Sequence, residues 1–172
     1  LMLNILEDKV AALEHGVAAF AFGSGMAAAT TAVLSVVKTG DNIVCIRNAY
    51  GPLKNFIEKY CPEHLGTTLT YVQGNDICEF EEAITDNTRL VILESPSSVV
   101  FTLQDIEAVC KIAHGHGAKV YIDNSYCTPI FSNPLDLGAD IVMHTASKYM
   151  GGHSDIIGGI LAVRDETLAA TI

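Results

Sequence analysis

Lys148 and Asp123 occupy positions where α/β proteins often place reactive groups. Asp123 directly follows an apolar run at residues 120–122, and Lys148 comes five residues after a second run at 141–143. Small and hydroxylated neighbours surround Lys148, and this setting suits a lysine that must lose its proton and attack a carbonyl carbon. The alternative is a structural salt bridge between the two side chains, which is the usual role of an Asp and a Lys on neighbouring strand ends.

Two nearby features are suited to binding an anion such as a phosphate group. Thr145 and Ser147 alternate with Ala146, so both hydroxyls face one way if this segment is extended. Residues 23–26 open a predicted helix, whose first amide groups and positive dipole end attract anions. The alternative is that the hydroxyls and glycines only form turns.

Tyr50 follows another apolar run, residues 43–46, and is placed to lay its ring over a flat ligand. A packing role in the core or at the surface is the alternative.

His114 and His116 form an H-x-H pair, but no third ligand accompanies them, and a role in helix capping or at the surface is favoured over a metal site.

The elements that must position these residues alternate between strands and helices. Apolar runs at 43–46, 90–93, 120–122 and 141–143 predict strands that are covered on both faces. Strands that alternate with helices indicate a mainly parallel sheet, so we expect an α/β protein with a three-layer α/β/α sandwich. Ligands of such sheets bind at the carboxyl ends of the strands.

Three helices are predicted from their capping signals. Thr102 and Asp105 are spaced as a capping box before an amphipathic helix in which Leu103 begins the apolar stripe and Gly115 is near the stop. A second helix is predicted from about residue 25 to residue 38. A third is expected to begin at Asp76, with Glu79 three positions later.

The composition excludes several classes of protein. With 10 Lys and Arg against 20 Asp and Glu, the net charge of −10 argues against a nucleic-acid partner, and no apolar stretch is long enough for a membrane span. Five cysteines without a C-x-x-C pair argue against a disulfide framework or zinc cluster, and indicate a reducing, cytoplasmic setting. The chain has the size of one domain.

The first ten residues, from Leu1 to Val10, predict an acidic amphipathic helix rather than a signal peptide.

Gly23, Gly25 and Ala28 also match the spacing of a dinucleotide fingerprint, so a nicotinamide-binding oxidoreductase domain is an alternative. That motif needs an acidic residue after the next strand, where this chain has Arg47.

Several motifs in register resemble the Cys/Met-metabolism family of pyridoxal-phosphate enzymes, from about residue 6 to the end of the chain. They are Ser24-Gly25-Met26-Ala27-Ala28, Ala49-Tyr50-Gly51, Glu94-Ser95-Pro96, Asp123-Asn124-Ser125, Thr145-Ala146-Ser147-Lys148-Tyr149 and Gly152-His153-Ser154-Asp155. The resemblance implies the fold-type I, aspartate-aminotransferase-like large domain over residues 1–172. Both ends look truncated, with the N-terminal arm and the C-terminal domain of the family absent.

The resemblance also implies the cofactor, pyridoxal 5′-phosphate, and the roles of individual residues. Lys148 would hold the cofactor as a Schiff base, Asp123 would pair with its ring nitrogen, and Tyr50 would stack on the ring and handle protons. The full set of implied cofactor-binding residues is Ser24, Gly25, Met26, Tyr50, Ser98, Asp123, Ser125, Thr145, Ser147 and Lys148.

Three departures from the family qualify these roles. Members commonly carry Asn where this chain has Ser98, beside the cofactor's phenolic oxygen, and Ser-x-Thr where it has Thr145 and Ser147. The third is the absence of a neighbouring-subunit phosphate contact and of the arginine that binds the substrate carboxylate. We therefore expect this chain alone to bind cofactor poorly and to turn over little.

The resemblance is to cystathionine β-lyases above all, on residues 94–98 and 152–155. It implies a carbon–sulfur lyase that releases a thiol from a small thioether amino acid. A γ-lyase, or a γ-replacement transferase such as cystathionine γ-synthase or O-acetylhomoserine sulfhydrylase, is the alternative, and a fragment that retains only the fold is another. The family is usually homotetrameric, built from close dimers.

Overall fold

A seven-stranded sheet forms the centre of the molecule in the computed structural model, which describes residues 2–172. The strands are β1 (Ala18–Phe22), β2 (Asn42–Ile46), β3 (Thr68–Val72), β4 (Thr88–Glu94), β5 (Lys119–Asp123), β6 (Ile141–Thr145) and β7 (Gly159–Val163). Their order across the sheet is β1-β7-β6-β5-β4-β2-β3. Strands β6, β5, β4, β2 and β3 run parallel, and β7 is antiparallel to both of its neighbours.

Eight α-helices connect or flank the strands among the described residues. They are α1 (Met2–Glu14), α2 (Gly25–Val36), α3 (Gly51–Asn55), α4 (Cys61–Leu65), α5 (Ile77–Ala83), α6 (Ile106–Gly115), α7 (Thr128–Phe131) and α8 (Glu166–Ala169). A π-helical turn, Phe56–Tyr60, joins α3 to α4 without a break.

The central parallel strands β2 and β4 are mostly apolar because helices cover both faces of the sheet, whereas β3 at the edge is only partly buried. All five residues of β2 are buried, as are the last five of β4. Residues of β6 alternate between the two layers, since His144 contacts α1 whereas Met143 and Thr145 lie on the side of α2. The predicted α/β sandwich with a mainly parallel sheet is confirmed.

All four predicted strands are present, and three strands were not predicted. β1, β3 and β7 lie at or next to the edges of the sheet, and β1 contains three alanines, which carry little strand signal. The helix predicted over residues 25–38 ends at Val36, two residues early. Asp76 does cap α5, with its side chain accepting a hydrogen bond from the Cys78 amide.

The predicted capping box at Thr102 and Asp105 is wrong. Asp105 is itself the N-cap of α6, and its carboxylate accepts a hydrogen bond of 3.0 Å from the Ala108 amide. Thr102 is held instead by Ser97, through a side-chain contact of 2.6 Å and a backbone hydrogen bond of 2.9 Å. Because residues 97–102 form a loop, the helix begins only at Ile106. Leu103, which was predicted to begin the apolar stripe of this helix, lies before it and is 68% exposed.

The first helix extends to Glu14, beyond the predicted end at Val10, while Leu1 lies outside the described residues.

None of the helices within residues 2–172 is both long and apolar enough to span a bilayer. Over the same residues, no group of three or more His, Cys, Asp and Glu side chains is arranged to hold a metal ion. His114 and His116 contact separate acids, Asp140 and Asp86.

Candidate functional site

A cavity of about 200 Å³ opens at the carboxyl ends of the parallel strands. Neighbouring residues of β4, β5 and β6 meet there, because Glu94 pairs with Asp123 and Asp123 pairs with Met143 in the sheet register. The residues that line it are Ser24, Gly25, Met26, Tyr50, Glu94, Asp123, Ser125, Tyr126, Met143, Thr145 and Lys148. Eight of the ten predicted site residues are therefore brought together.

The start of α2 forms one wall of the cavity. Ser24 caps the helix, accepting a hydrogen bond of 3.0 Å from the Ala27 amide. The amides of Gly25 and Met26 are in the first turn, where a helix supplies no acceptor of its own, so they are suited to an anionic ligand. A Cβ on Gly25 would lie 2.8 Å from Thr145 Oγ1, and only glycine permits this close approach.

Asp123 is fixed at the floor of the cavity by the turn that follows β5. Its Oδ1 accepts a hydrogen bond of 2.9 Å from the Ser125 amide, and Ser125 Oγ accepts one of 2.8 Å from the Thr145 amide. Burial raises the pKa of the Asp123 carboxyl, while the hydrogen bonds from Ser125 and the electrostatic interactions with His144 and Lys148 oppose that rise. Ser125 thus connects Asp123 to Thr145, a candidate ligand of the phosphate group.

Lys148 and Tyr50 face each other across the cavity mouth. Lys148 Nζ lies 5.5 Å from the centroid of the Tyr50 ring. Lys148 is on the turn after β6, where its amide donates to Thr145 O and its carbonyl accepts from the Gly152 amide. Tyr50 is 40% exposed, so its ring is available to a ligand. A lysine, an aromatic face and a carboxylate thus surround one small space.

Glu94 is a site residue that the sequence reasoning did not single out. It is 5% exposed, its Oε2 accepts a hydrogen bond of 2.7 Å from the Tyr50 amide, and its Oε1 accepts one of 2.6 Å from Ser98 Oγ. Burial raises its pKa to about 7, the Ser98 hydrogen bond opposes this, and the negative charge of Asp123 adds to it. Glu94 ends its strand as Asp123 ends β5, so the strand-end rule could have found it.

Two predicted residues do not line the cavity. Ser98 is turned toward Glu94 and donates its hydroxyl proton there. Ser147 lies in a turn rather than on an extended segment, and its Oγ accepts a hydrogen bond of 3.2 Å from the Gly158 amide. The expectation that Thr145 and Ser147 share one face therefore does not apply, because β6 ends at Thr145. Any contact of these two serines with a cofactor stays a prediction.

The whole chain matches a family of known enzymes. The model of the family described as Cys/Met metabolism PLP-dependent enzyme matches residues 1–172. This match, together with the missing carboxylate after β2, argues against the nicotinamide-binding alternative.

Relatives and a solved structure agree with the family model. The chain is 43% identical to L-methionine gamma-lyase of Porphyromonas gingivalis over 94% of this chain and 40% of that protein. It is 39% identical to cystathionine beta-lyase MetC of Bacillus subtilis over 95% of this chain and 41% of that protein. The crystal structure of metB from Corynebacterium glutamicum superposes with a TM-score of 0.92 at 38% identity, covering 96% of this chain and 43% of that one. The chain spans about two fifths of the length of these relatives, and it belongs to the Cys/Met metabolism family of enzymes that depend on pyridoxal phosphate.

Proposed function

We propose that this chain is the cofactor-binding large domain of a carbon–sulfur lyase that cleaves a thioether amino acid by β-elimination, as cystathionine β-lyases do. The observation that carries the proposal is the convergence of Lys148, Asp123, Tyr50 and the start of α2 on one cavity. The choice of β-elimination rests on the resemblance at residues 94–98 and 152–155.

The cavity fits pyridoxal phosphate in size and in its polar groups. Its volume of about 200 Å³ lies below the range of roughly 300–1,000 Å³ that is usual for drug-sized ligands, which suits a single ring with a short anionic arm. The amides at the start of α2 and the hydroxyl of Thr145 would bind the phosphate, and Gly25 leaves the room that a side chain would fill. Asp123 would accept a hydrogen bond from the protonated ring nitrogen.

When bound, the cofactor supplies an electron sink that takes up the electron pair left on the substrate's α-carbon. The residues of this chain then divide the remaining tasks. Lys148 Nζ would bind the cofactor's aldehyde carbon and, once displaced by the substrate amine, remove the α-proton. Tyr50 would cover the ring, held in place through its amide by Glu94. The β-substituent would leave as a thiolate, and the proton that Lys148 has taken from the α-carbon would convert it to a thiol.

The first experiment tests the cofactor site. The purified protein is incubated with pyridoxal phosphate and reduced with borohydride, and the modified peptide is identified by mass spectrometry. Label confined to Lys148 is the expected result, because this lysine lines the cavity. Label spread over surface lysines, with none at Lys148, would refute the proposed site.

The second experiment tests the reaction. Cystathionine is supplied to the loaded protein and the keto acid is identified, with pyruvate expected from β-elimination. Release of 2-oxobutyrate instead would favour γ-elimination, the alternative supported by 43% identity to the protein named L-methionine gamma-lyase. Formation of cystathionine from an activated homoserine and cysteine would identify a γ-replacement transferase.

We further propose that the protein is a homo-oligomer, since the family resemblance implies a tetramer of close dimers. Large apolar side chains are exposed next to the cavity, with Ile130 and Phe131 on α7 at 82% and 83%. Exposed apolar patches commonly mark protein interfaces.

A further inference from the structure

A cluster of three buried polar side chains lies on the opposite face of the sheet from α2. Glu14 is the last residue of α1, His144 is in β6, and Asn124 follows β5 directly. Their exposed fractions are 0%, 1% and 0%. No residue of this cluster lines the cavity, and none has a part in the chemistry proposed above.

One carboxylate oxygen joins the cluster. Glu14 Oε1 is hydrogen-bonded to His144 Nε2 and accepts a hydrogen bond of 3.0 Å from Asn124 Nδ2. Asn124 Nδ2 also donates to the Ser132 carbonyl at 2.9 Å. Within residues 2–172, Glu14 Oε2, Asn124 Oδ1 and His144 Nδ1 have no hydrogen-bond partner.

This arrangement is poorly explained by stability alone. Burying a carboxylate and an imidazole carries a desolvation cost, and each unpartnered polar atom adds to it. Well-packed apolar side chains are often as stabilising as a buried ion pair, or more so. The location of the cluster suggests another role.

The cluster is connected to Asp123 through the backbone of both strands. Asn124 is the next residue after Asp123, and its amide donates a hydrogen bond of 2.9 Å to the Met143 carbonyl. His144 lies between Met143 and Thr145, which both line the cavity. In addition, the electrostatic interaction with His144 acts to lower the pKa of the Asp123 carboxyl, against the larger effect of burial.

We propose that Glu14 and His144 are positioning residues for Asp123, fixing the ends of β5 and β6 and placing a buried carboxylate–imidazole pair behind the carboxylate that receives the cofactor's ring nitrogen. The inference rests on the proposed function, because it needs Asp123 to bind that nitrogen. Glu14 reaches this position from a helix more than 100 residues earlier in the chain, so α1 is part of the cofactor site without touching the cavity.

The test compares two variants with a matched control in the holoprotein. Glu14→Gln removes the charge and keeps an oxygen acceptor, and His144→Gln removes the imidazole. His114→Gln is the control. His114 Nε2 also contacts a buried carboxylate, that of Asp140 at 2.8 Å, but this contact is at the amino ends of the strands, away from the cavity. The readouts are the cofactor dissociation constant, the absorption band of the bound cofactor and the midpoint of urea unfolding.

Both cluster variants should bind the cofactor at least about tenfold more weakly and shift its absorption band in the direction that Asp123→Asn shifts it. His114→Gln should lower only the unfolding midpoint. Combined with Asp123→Asn, either cluster variant should have little further effect on the cofactor, because residues that act through one another are not additive.

If the wild-type protein is labelled at Lys148, three results would overturn the inference and leave the proposed function intact. The first is that both cluster variants bind the cofactor as tightly as wild type does. The second is that their effects on cofactor binding add fully to the effect of Asp123→Asn, and the third is that neither variant folds although His114→Gln does. Absence of label at Lys148 in the wild-type protein would instead refute the proposed function itself.

Discussion

Among the lysines of residues 2–172, Lys148 alone lines the cavity, on a turn at the carboxyl ends of the strands and opposite the ring of Tyr50. The role proposed for it depends on a primary amine rather than on a positive charge. An amine can form a covalent bond to an aldehyde carbon, whereas the guanidinium of arginine stays protonated and cannot.

Lys148→Arg should therefore abolish borohydride-stable attachment of pyridoxal phosphate at this position while keeping the charge. The matched control is Lys54→Arg, because Lys54 donates to the Arg47 carbonyl at 2.8 Å and does not line the cavity. Intact-mass measurement after reduction compares the three proteins. Equal labelling of wild type and Lys148→Arg would show that the attachment is elsewhere.

Glu94 is expected to make stability depend on pH. Its pKa rises from 4.5 to about 7 on folding, so the native state holds a proton that the unfolded state releases between these values. Raising the pH through this range therefore lowers the free energy of unfolding. The total decrease is on the order of 3 kcal/mol and is complete above about pH 7.

Glu94→Gln stays neutral and should lose less stability than wild type as the pH rises. The difference in unfolding free energy should move in favour of the variant by about 2–3 kcal/mol between about pH 5 and about pH 8. Urea unfolding of the cofactor-free proteins at a series of pH values measures it. A difference that stays constant with pH would show that Glu94 does not change its protonation in this range.

At the scale of elements, the first turn of α2 combines a stability role with a binding role. Its N-cap, Ser24, accepts from the amide three residues later at 3.0 Å, and Asp105 does the same for α6 at 3.0 Å. The two caps are therefore a matched pair, of which only Ser24 lines the cavity.

Ser24→Ala and Asp105→Ala should each lower the free energy of unfolding by about 1 kcal/mol. Only Ser24→Ala should also weaken cofactor binding, because loss of the cap loosens the amides of Gly25 and Met26. Thermal unfolding and cofactor titration of both variants test this. Equal weakening of binding in both would mean that global stability, and not the start of α2, controls affinity.

The elements differ in how well the sequence predicts them. β2 and β4 to β6 are apolar runs whose burial on both faces leaves a clear signal, and the strand-end rule then places Asp123 and the segment of Lys148 at one edge. The orientation of Ser147 could not be predicted, because it depends on a contact with Gly158 that forms only in the folded chain. The same holds for Glu14 and His144, which are 130 positions apart.

At the scale of the whole molecule, the cavity is continuous with an apolar surface. A hollow lined by Leu13, Pro129, Ile130, Phe131 and Met150 adjoins it through Tyr126, which lines both. The exposure of Ile130 and Phe131 on a short helix is unfavourable for an isolated domain. A second copy that covers this surface would also shield the mouth of the cavity.

Phe131→Glu should therefore shift the protein toward smaller species and weaken its retention of the cofactor. A glutamate at an interface position loses its hydration on association, and this cost opposes assembly. The control is Leu103→Glu, which changes a side chain that is also exposed, at 68%, but does not line this hollow. Sedimentation velocity at several protein concentrations gives the size of each variant. A wild-type protein that stays monomeric, or a Phe131→Glu variant with unchanged mass, would mean that this surface is not where copies of the chain meet.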